Sequence, residues 1–170
     1  MVKEIAELLK DHGAIEIGDF VLASGARSSY YLDIKTAITD PVLLRRIGEA
    51  FAGKFTFDVV AGVAVGAVPL AVATSLASGK PYAIIRKEQK DHGKSDLVIG
   101  DVKGKAVLLV EDVTTSGGSA LFGVRVLRDA GATVVAVASV VDRESGASDA
   151  FAQEGISLVP LTTASEMMNL

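Results

Sequence analysis

The chain is expected to fold as an α/β domain, a mostly parallel sheet flanked by helices, with a small N-terminal hood ahead of it. Three observations carry this expectation. From Phe57 onward, short runs of β-branched and aliphatic residues alternate with stretches of helical period. Gly79, Gly131 and Gly155 each follow a helical stretch, where a left-handed cap ends a helix. The run Val107-Leu-Leu-Val is apolar at every position, which suits a strand buried on both faces.

The elements follow in order. Val2, Ile5, Ala6, Leu8 and Leu9 make one helical stripe, with Gly13 as its C-terminal cap. Residues 15–22 alternate loosely, Ser24-Gly-Ala-Arg-Ser-Ser29 supplies a turn, and 29–34 reads as a second extended piece. Together they predict a hairpin, the hood. Thr39-Asp40-Pro41 opens a helix, with Asp40 as N-cap and Pro41 in the first position, running to about Gly53. Strands are then expected at 58–61, 82–86, 106–110, 133–141 and 157–160, and helices at 67–77, 119–130 and 147–154. Residues 1–170 form a single domain, with the N-terminal helix and hood at about 1–40 and the α/β core at about 57–160. Ligands of such a sheet gather at the C-terminal strand ends. Four stretches fall there: 62–69, 86–99, 111–119 and 142–145.

Composition narrows the class of function. Hydrophobic residues make up 49% and charged residues 22%, a globular balance. A net charge of −4 implies no general affinity for nucleic acid. With no Cys there is neither a disulfide framework nor a thiolate metal site, which suits a cytoplasmic protein. Two His cannot build a His-rich metal centre, so any metal is expected to be oxygen-bound, such as Mg²⁺ shared with phosphates. Lys3, Glu4, Glu7 and Lys10 are foreign to a signal peptide. The apolar stretch 59–77 is broken by Gly62, Gly66 and Pro69, so no membrane span is expected.

The chemistry concentrates after Val110. Two acids, Glu111 and Asp112, end the apolar strand, and Val113-Thr-Thr-Ser-Gly-Gly-Ser119 leads into a helical pattern. Strand, hydroxyl- and glycine-rich turn, then helix N-terminus is a phosphate cradle: glycines let backbone N–H groups converge, and the helix dipole favours an anion. The turn holds no Lys, so it is not a nucleoside-triphosphate P-loop, and it lacks the dinucleotide G-x-G-x-x-G. Two carboxylates beside a phosphate make sense when the ligand also offers hydroxyls, a metal or developing positive charge. A ribose 5-phosphate supplies vicinal hydroxyls, and a phosphoribosyl centre losing its leaving group develops positive charge.

Four apolar residues, two acids and a Thr/Ser/Gly-rich loop resemble the phosphoribosyl-diphosphate-binding motif of the type I phosphoribosyltransferases. Arg86-Lys-Glu-Gln-Lys-Asp-His-Gly93 is similar, position for position, to the catalytic loop of the orotate phosphoribosyltransferases within that family. Ser24-Gly-Ala-Arg-Ser-Ser-Tyr-Tyr resembles their hood. The resemblance implies a type I phosphoribosyltransferase fold, with transfer of phosphoribosyl to orotate as the activity and Mg²⁺ as cofactor. It also implies a homodimer whose loops complete each other's sites. By the same resemblance Glu111 and Asp112 hold the ribose hydroxyls and favour the positive transition state, Thr114, Thr115, Ser116, Gly117, Gly118 and Ser119 bind the 5-phosphate, and Val113 belongs to the same phosphoribosyl-diphosphate-binding segment. Arg86, Lys87, Lys90 and His92 neutralise the diphosphate, with Lys90 or His92 as proton donor. Thr115, Arg143 and Tyr31 are expected at orotate, and Tyr30 and Tyr31 either cover the base or pack as strand residues. Two departures stand out: Ala23 and Gly66 occupy positions where many bacterial members carry Lys, and Lys35 is a candidate replacement. A purine phosphoribosyltransferase and a regulator that senses phosphoribosyl diphosphate are the competing readings. The cationic loop disfavours both.

Overall fold

A computed structural model describes residues 2–88 and 96–170. Helix α1 (Val2–Asp11) buries Ile5 and Leu9 and stops before Gly13, whose φ of 70° few other residues accept. The hood is an antiparallel hairpin of its own, β1 (Ile15–Val21) with β2 (Arg27–Leu32), its register slipping between Ile17 and Phe20. The second strand starts earlier and ends earlier than the sequence suggested. Ile34 opens a short helix instead, α2 (Ile34–Ala37), because the Asp33 carboxylate accepts from the Thr36 N–H at 3.1 Å and Ile34 and Ala37 share one buried face. Helix α3 (Pro41–Lys54) begins where expected, with Asp40 Oδ1 accepting from the N–H groups of Val42 (3.0 Å) and Leu43 (2.9 Å).

The main sheet is built from β3 (Val59–Val63), β4 (Tyr82–Ile85), β5 (Val98–Ile99), β6 (Ala106–Thr114), β7 (Thr133–Asp142) and β8 (Leu158–Thr163). Their order in space is β5-β4-β3-β6-β7-β8, and all pairs are parallel except β4 with β5. Helices α4 (Val68–Ser78), α5 (Gly118–Asp129) and α6 (Ala147–Gln153) make the crossovers, and a short α7 (Ala164–Met168) closes the described chain. The sequence reading missed β5, which is only two residues long, and α7, whose Thr163–Glu166 capping box was its one signal.

Alternation along the strands divides the core into two layers. Val60, Leu108, Val110 and Ala138 face Ile5, Leu9, Leu43, Phe51, Leu70 and Met167, the side of α1, α2, α3, α4 and α7. Ala61, Val63, Leu109 and Val137 face Val124, Leu127 and Phe151 on α5 and α6. Helices α3 and α4 meet almost backbone to backbone: a Cβ on Gly48 would lie 2.6 Å from the carbonyl carbon of Ala73. Among the described residues no helix is long and apolar enough to cross a membrane.

Chain order sets the place of the site. From β3 the chain moves one way to β4 and β5, then returns to the other side of β3 for β6. The loops leaving β3 and β6 therefore part from each other at the C-terminal edge, opening a crevice at the switch point.

Candidate active site

The acid pair lies within β6 and not beyond it, which corrects the expected strand end at 110. Strand β3 stops pairing at Gly62↔Val110, but β7 continues to Val113↔Val141 and Thr114↔Asp142, and so carries β6 four residues further along one edge. Over those four residues the β3 side is open to a ligand. Strand alternation turns Glu111 toward the α5 layer and Asp112 toward the α2 layer. Both are buried, 7% and 6% exposed, although they are charged residue types.

Their partners are few. The Asp112 N–H donates to Glu111 Oε1 at 3.1 Å, and the Val113 N–H donates to Asp112 Oδ1 at 2.9 Å. Asp112 Oδ2 is shut from solvent and has no hydrogen-bond donor among the described residues. Lys35 Nζ stands 3.0 Å from it, an ion-pair contact outside hydrogen-bond geometry. Burial first, and then Asp112, pushes the Glu111 carboxyl up to about 8. Asp112 moves the opposite way: burial alone would raise it, but Glu111, Lys35 and the Val113 N–H together hold it below the usual carboxylate range. The pair therefore carries its proton on Glu111 and its negative charge on Asp112.

This has a consequence for stability. Below its ordinary 4.5 Glu111 is protonated in both folded and unfolded chains, and the preference of the fold for the neutral form counts in full. As pH rises toward about 8, the unfolded chain releases that proton while the folded chain keeps it, so this contribution is lost. Glu111→Gln is expected to flatten the decline in urea midpoint between acid and mildly alkaline buffer. An unchanged slope in the variant would place the raised carboxyl elsewhere.

Beyond Thr114 the loop Thr115-Ser-Gly117 turns into α5. Gly117 sits at φ 88°, no side chain caps the helix, and its first N–H groups face a cavity of about 180 Å³ between Glu111 and the 113–120 segment. Larger hollows of about 480 Å³ and 730 Å³ lie at the C-terminal end of α5 and between α3 and α4, away from the acid pair. On the other wall of the crevice, residues 64–67 join β3 to α4, again without a side-chain cap. Gly62 has no room for a side chain, since a Cβ there would lie 2.7 Å from the Ala67 carbonyl oxygen.

The β6–β7 ladder also assembles the far end of the site. The Arg143 N–H donates to the Thr114 carbonyl at 2.9 Å, so Arg143 and Thr115 leave adjacent strands side by side. Thr114 Oγ1 donates to the buried Asp142 Oδ1 at 2.9 Å beneath them. The Arg143 guanidinium lies 4.8 Å from the ring centroid of Tyr30, a cation–π contact that holds the hood over this end. Glu144 takes φ 61°, and its carboxylate accepts from the N–H and the hydroxyl of Ser165. Tyr31, expected at orotate, points the other way along β2 and packs on Phe20, with centroids 5.8 Å apart.

Most of the sequence-derived residues converge here: Glu111, Asp112, Val113, Thr114, Thr115, Ser116, Gly117, Gly118 and Ser119 on one segment, and Arg143 beside it. Arg86 and Lys87 follow β4. The Arg86 N–H donates to the Leu97 carbonyl at 2.7 Å, which ties the two described stems of the cationic loop together. Lys90 and His92 lie outside the described residues. Tyr30 at Arg143 was only half anticipated. Lys35 was named only as a replacement for the absent lysines, and its pairing with Asp112 was not foreseen, since nothing in local spacing links residues 77 positions apart.

The phosphoribosyl transferase domain matches residues 36–152. The chain is similar to the orotate phosphoribosyltransferases of Methanoculleus marisnigri (63% identity over 169 residues) and Methanocorpusculum labreanum (58% over 168), in each case covering 99% of both chains. Among solved structures, the orotate phosphoribosyltransferase of Aeropyrum pernix superposes with a TM-score of 0.85 at 36% identity, covering 97% of this chain and 96% of that one. The Mycobacterium tuberculosis orotate phosphoribosyltransferase in complex with 5-phospho-α-D-ribosyl 1-diphosphate gives a TM-score of 0.78 at 32% identity, covering 98% of each.

Proposed function

The chain belongs to the phosphoribosyl transferase family, and we propose that it joins orotate to the phosphoribosyl group of 5-phosphoribosyl 1-diphosphate. The products are orotidine 5′-phosphate and diphosphate, so the enzyme serves pyrimidine nucleotide synthesis. The observation that carries this reading is the buried acid pair at the switch point, with a phosphate cradle on one side and Arg143 at the far end. The relatives that match over nearly the whole chain carry the same activity in their names.

The residues divide the work. The 114–119 cradle takes the 5-phosphate on uncapped N–H groups at the start of α5. Asp112 Oδ2, buried and without a hydrogen bond, accepts from a ribose hydroxyl, and Glu111 stands on the cradle side of the same ring. As the bond from the anomeric carbon to diphosphate lengthens, the ribose gains positive charge, and the fixed Asp112 carboxylate stabilises it. Arg143 pairs with the orotate carboxylate in bidentate fashion, and Thr115 contacts the base. Tyr30 braces Arg143, and Tyr31 belongs to the same hood. Arg86, Lys87, Lys90 and His92 neutralise the departing diphosphate, and Lys90 or His92 protonates it.

Mg²⁺ fits the donors present. Among the described residues no three acidic or imidazole groups form a cage. The ligand's own diphosphate and ribose hydroxyls would hold the ion, with Asp112 as the nearby hard oxygen. When bound, it neutralises charge on the diphosphate. Cytoplasmic placement, expected from the cysteine-free composition, belongs to the same proposal.

A homodimer with shared sites is the proposed assembly, and subunit mixing tests it. Lys90→Ala and Asp112→Asn chains are each expected to be nearly inactive. In equal mixture, half the dimers are mixed and each holds one intact site of two, so roughly a quarter of wild-type activity returns. If the loop serves its own subunit, exchange restores nothing. For the reaction itself, orotate absorbance is expected to fall when phosphoribosyl diphosphate and Mg²⁺ are added. Consumption of adenine or hypoxanthine in place of orotate would overturn the assignment.

A further inference from the structure

We propose that Lys35 is a diphosphate-binding residue of this site, exchanging its unliganded partner Asp112 for the diphosphate when substrate enters. The inference rests on the phosphoribosyl-transfer reading and adds a residue from outside the motifs that define it.

Position is the first ground. The loop from β3 to α4, Ala64-Val-Gly-Ala67, has no cation of its own. The space above Gly66 is nevertheless filled: a Cβ built there would lie 2.9 Å from Lys35 Cε, 3.5 Å from Lys35 Nζ and 3.3 Å from Asp112 Oδ2. The Cε methylene of Lys35 thus occupies the volume that a side chain at residue 66 would enter, with the ammonium beside it. The Lys35 side chain touches both the Asp112 carboxylate, assigned above to the ribose, and the loop on the opposite wall of the crevice.

Freedom of movement is the second. The root of Lys35 is fixed, because α2 is capped by Asp33 and buries Ile34 and Ala37. Its side chain is 68% exposed, whereas that of Asp112 is 8% exposed. One partner is set in the sheet and the other is a long stem able to swing.

The third ground is the orphan oxygen. Asp112 Oδ2 has no donor in hydrogen-bond geometry, and Lys35, at 3.0 Å, is held to it by charge. A ribose hydroxyl that donates to Oδ2 displaces Lys35, which then has a doubly charged group within reach. Asp112 keeps a partner throughout, and Lys35 moves from carboxylate to diphosphate. No bond other than hydrogen bonds and ion pairs changes.

The exchange makes opposite predictions for two ligands. Lys35 competes with any ribose for Asp112, but it rewards only a ligand that carries diphosphate. In Lys35→Ala and Lys35→Met, affinity for phosphoribosyl diphosphate and for inorganic diphosphate with Mg²⁺ is expected to fall about tenfold or more, the usual loss of one charged contact. Affinity for orotidine 5′-phosphate, which lacks diphosphate, is expected to hold or tighten. Because Lys35 Cε is the nearest obstacle above Gly66, Lys35→Ala with Gly66→Lys is expected to recover most of the diphosphate affinity. Calorimetric titration of the full chain with the three ligands reads all of this. Unchanged diphosphate affinity in both single variants, equal losses for diphosphate and orotidine 5′-phosphate, or no recovery in the double variant overturns the proposal. Orotate turnover by the wild type is read separately, so a failed functional assignment and a failed role for Lys35 give different results.

Discussion

Asp112→Asn is expected to lower kcat roughly a hundred- to a thousandfold, while affinity for phosphoribosyl diphosphate stays within a few-fold of wild type. The magnitude is that of removing one preorganised electrostatic group from a transition state, about 3–4 kcal/mol. Asn keeps the shape and can still face a ribose hydroxyl, but it loses the charge that Glu111, Lys35 and the Val113 N–H hold in place in the buried strand. Ground-state binding is preserved for a further reason: without its carboxylate partner, Lys35 is free to meet the diphosphate. Single-turnover rates set against direct titration separate the two effects. Near-normal turnover would remove Asp112 from the chemistry, and a parallel loss of affinity would make it a binding group only.

Arg143→Ala is expected to raise the orotate KM by more than tenfold and to leave phosphoribosyl diphosphate affinity alone. A bidentate guanidinium–carboxylate contact is worth roughly 1.5–3 kcal/mol. The residue is well held for this: its N–H is tied to Thr114, its guanidinium rests on Tyr30, and the next residue is fixed through Ser165. Arg143→Lys should recover little, because an ammonium has neither the planar fork nor the stacking surface. Unchanged orotate affinity by titration would move base selection elsewhere.

The parts of this fold and site that were legible in the sequence are those coded locally. Asp40-Pro41, the glycines after helices and the strand–turn–helix run from Val107 to Ser119 each carry their own signal within a few residues, and the first two sit where that signal placed them. The acid pair was found, but its place inside β6 was not, because the extension to Thr114 depends on pairing with β7, a strand some twenty residues away. The α2 turn was hidden inside an apparently extended segment, although Asp33 and Thr36 had the spacing of a cap. Period-two alternation implied that Tyr30 and Tyr31 face opposite ways. Only the closed hairpin shows which of them meets Arg143. The Lys35–Asp112 contact is purely tertiary, since it requires the hood, α2 and the sheet to be in place together.

In the proposed reaction one crevice, between β3 and β6, holds a phosphoribosyl centre and delivers it to orotate. Product analysis by mass spectrometry tests this most directly, with purified chain, orotate, adenine and phosphoribosyl diphosphate combined with Mg²⁺ in one vessel. Orotidine 5′-phosphate and diphosphate are expected in equal amounts, with no adenosine monophosphate and almost no product from Asp112→Asn. Adenosine monophosphate as the main product, or undiminished orotidine 5′-phosphate from Asp112→Asn, would contradict it.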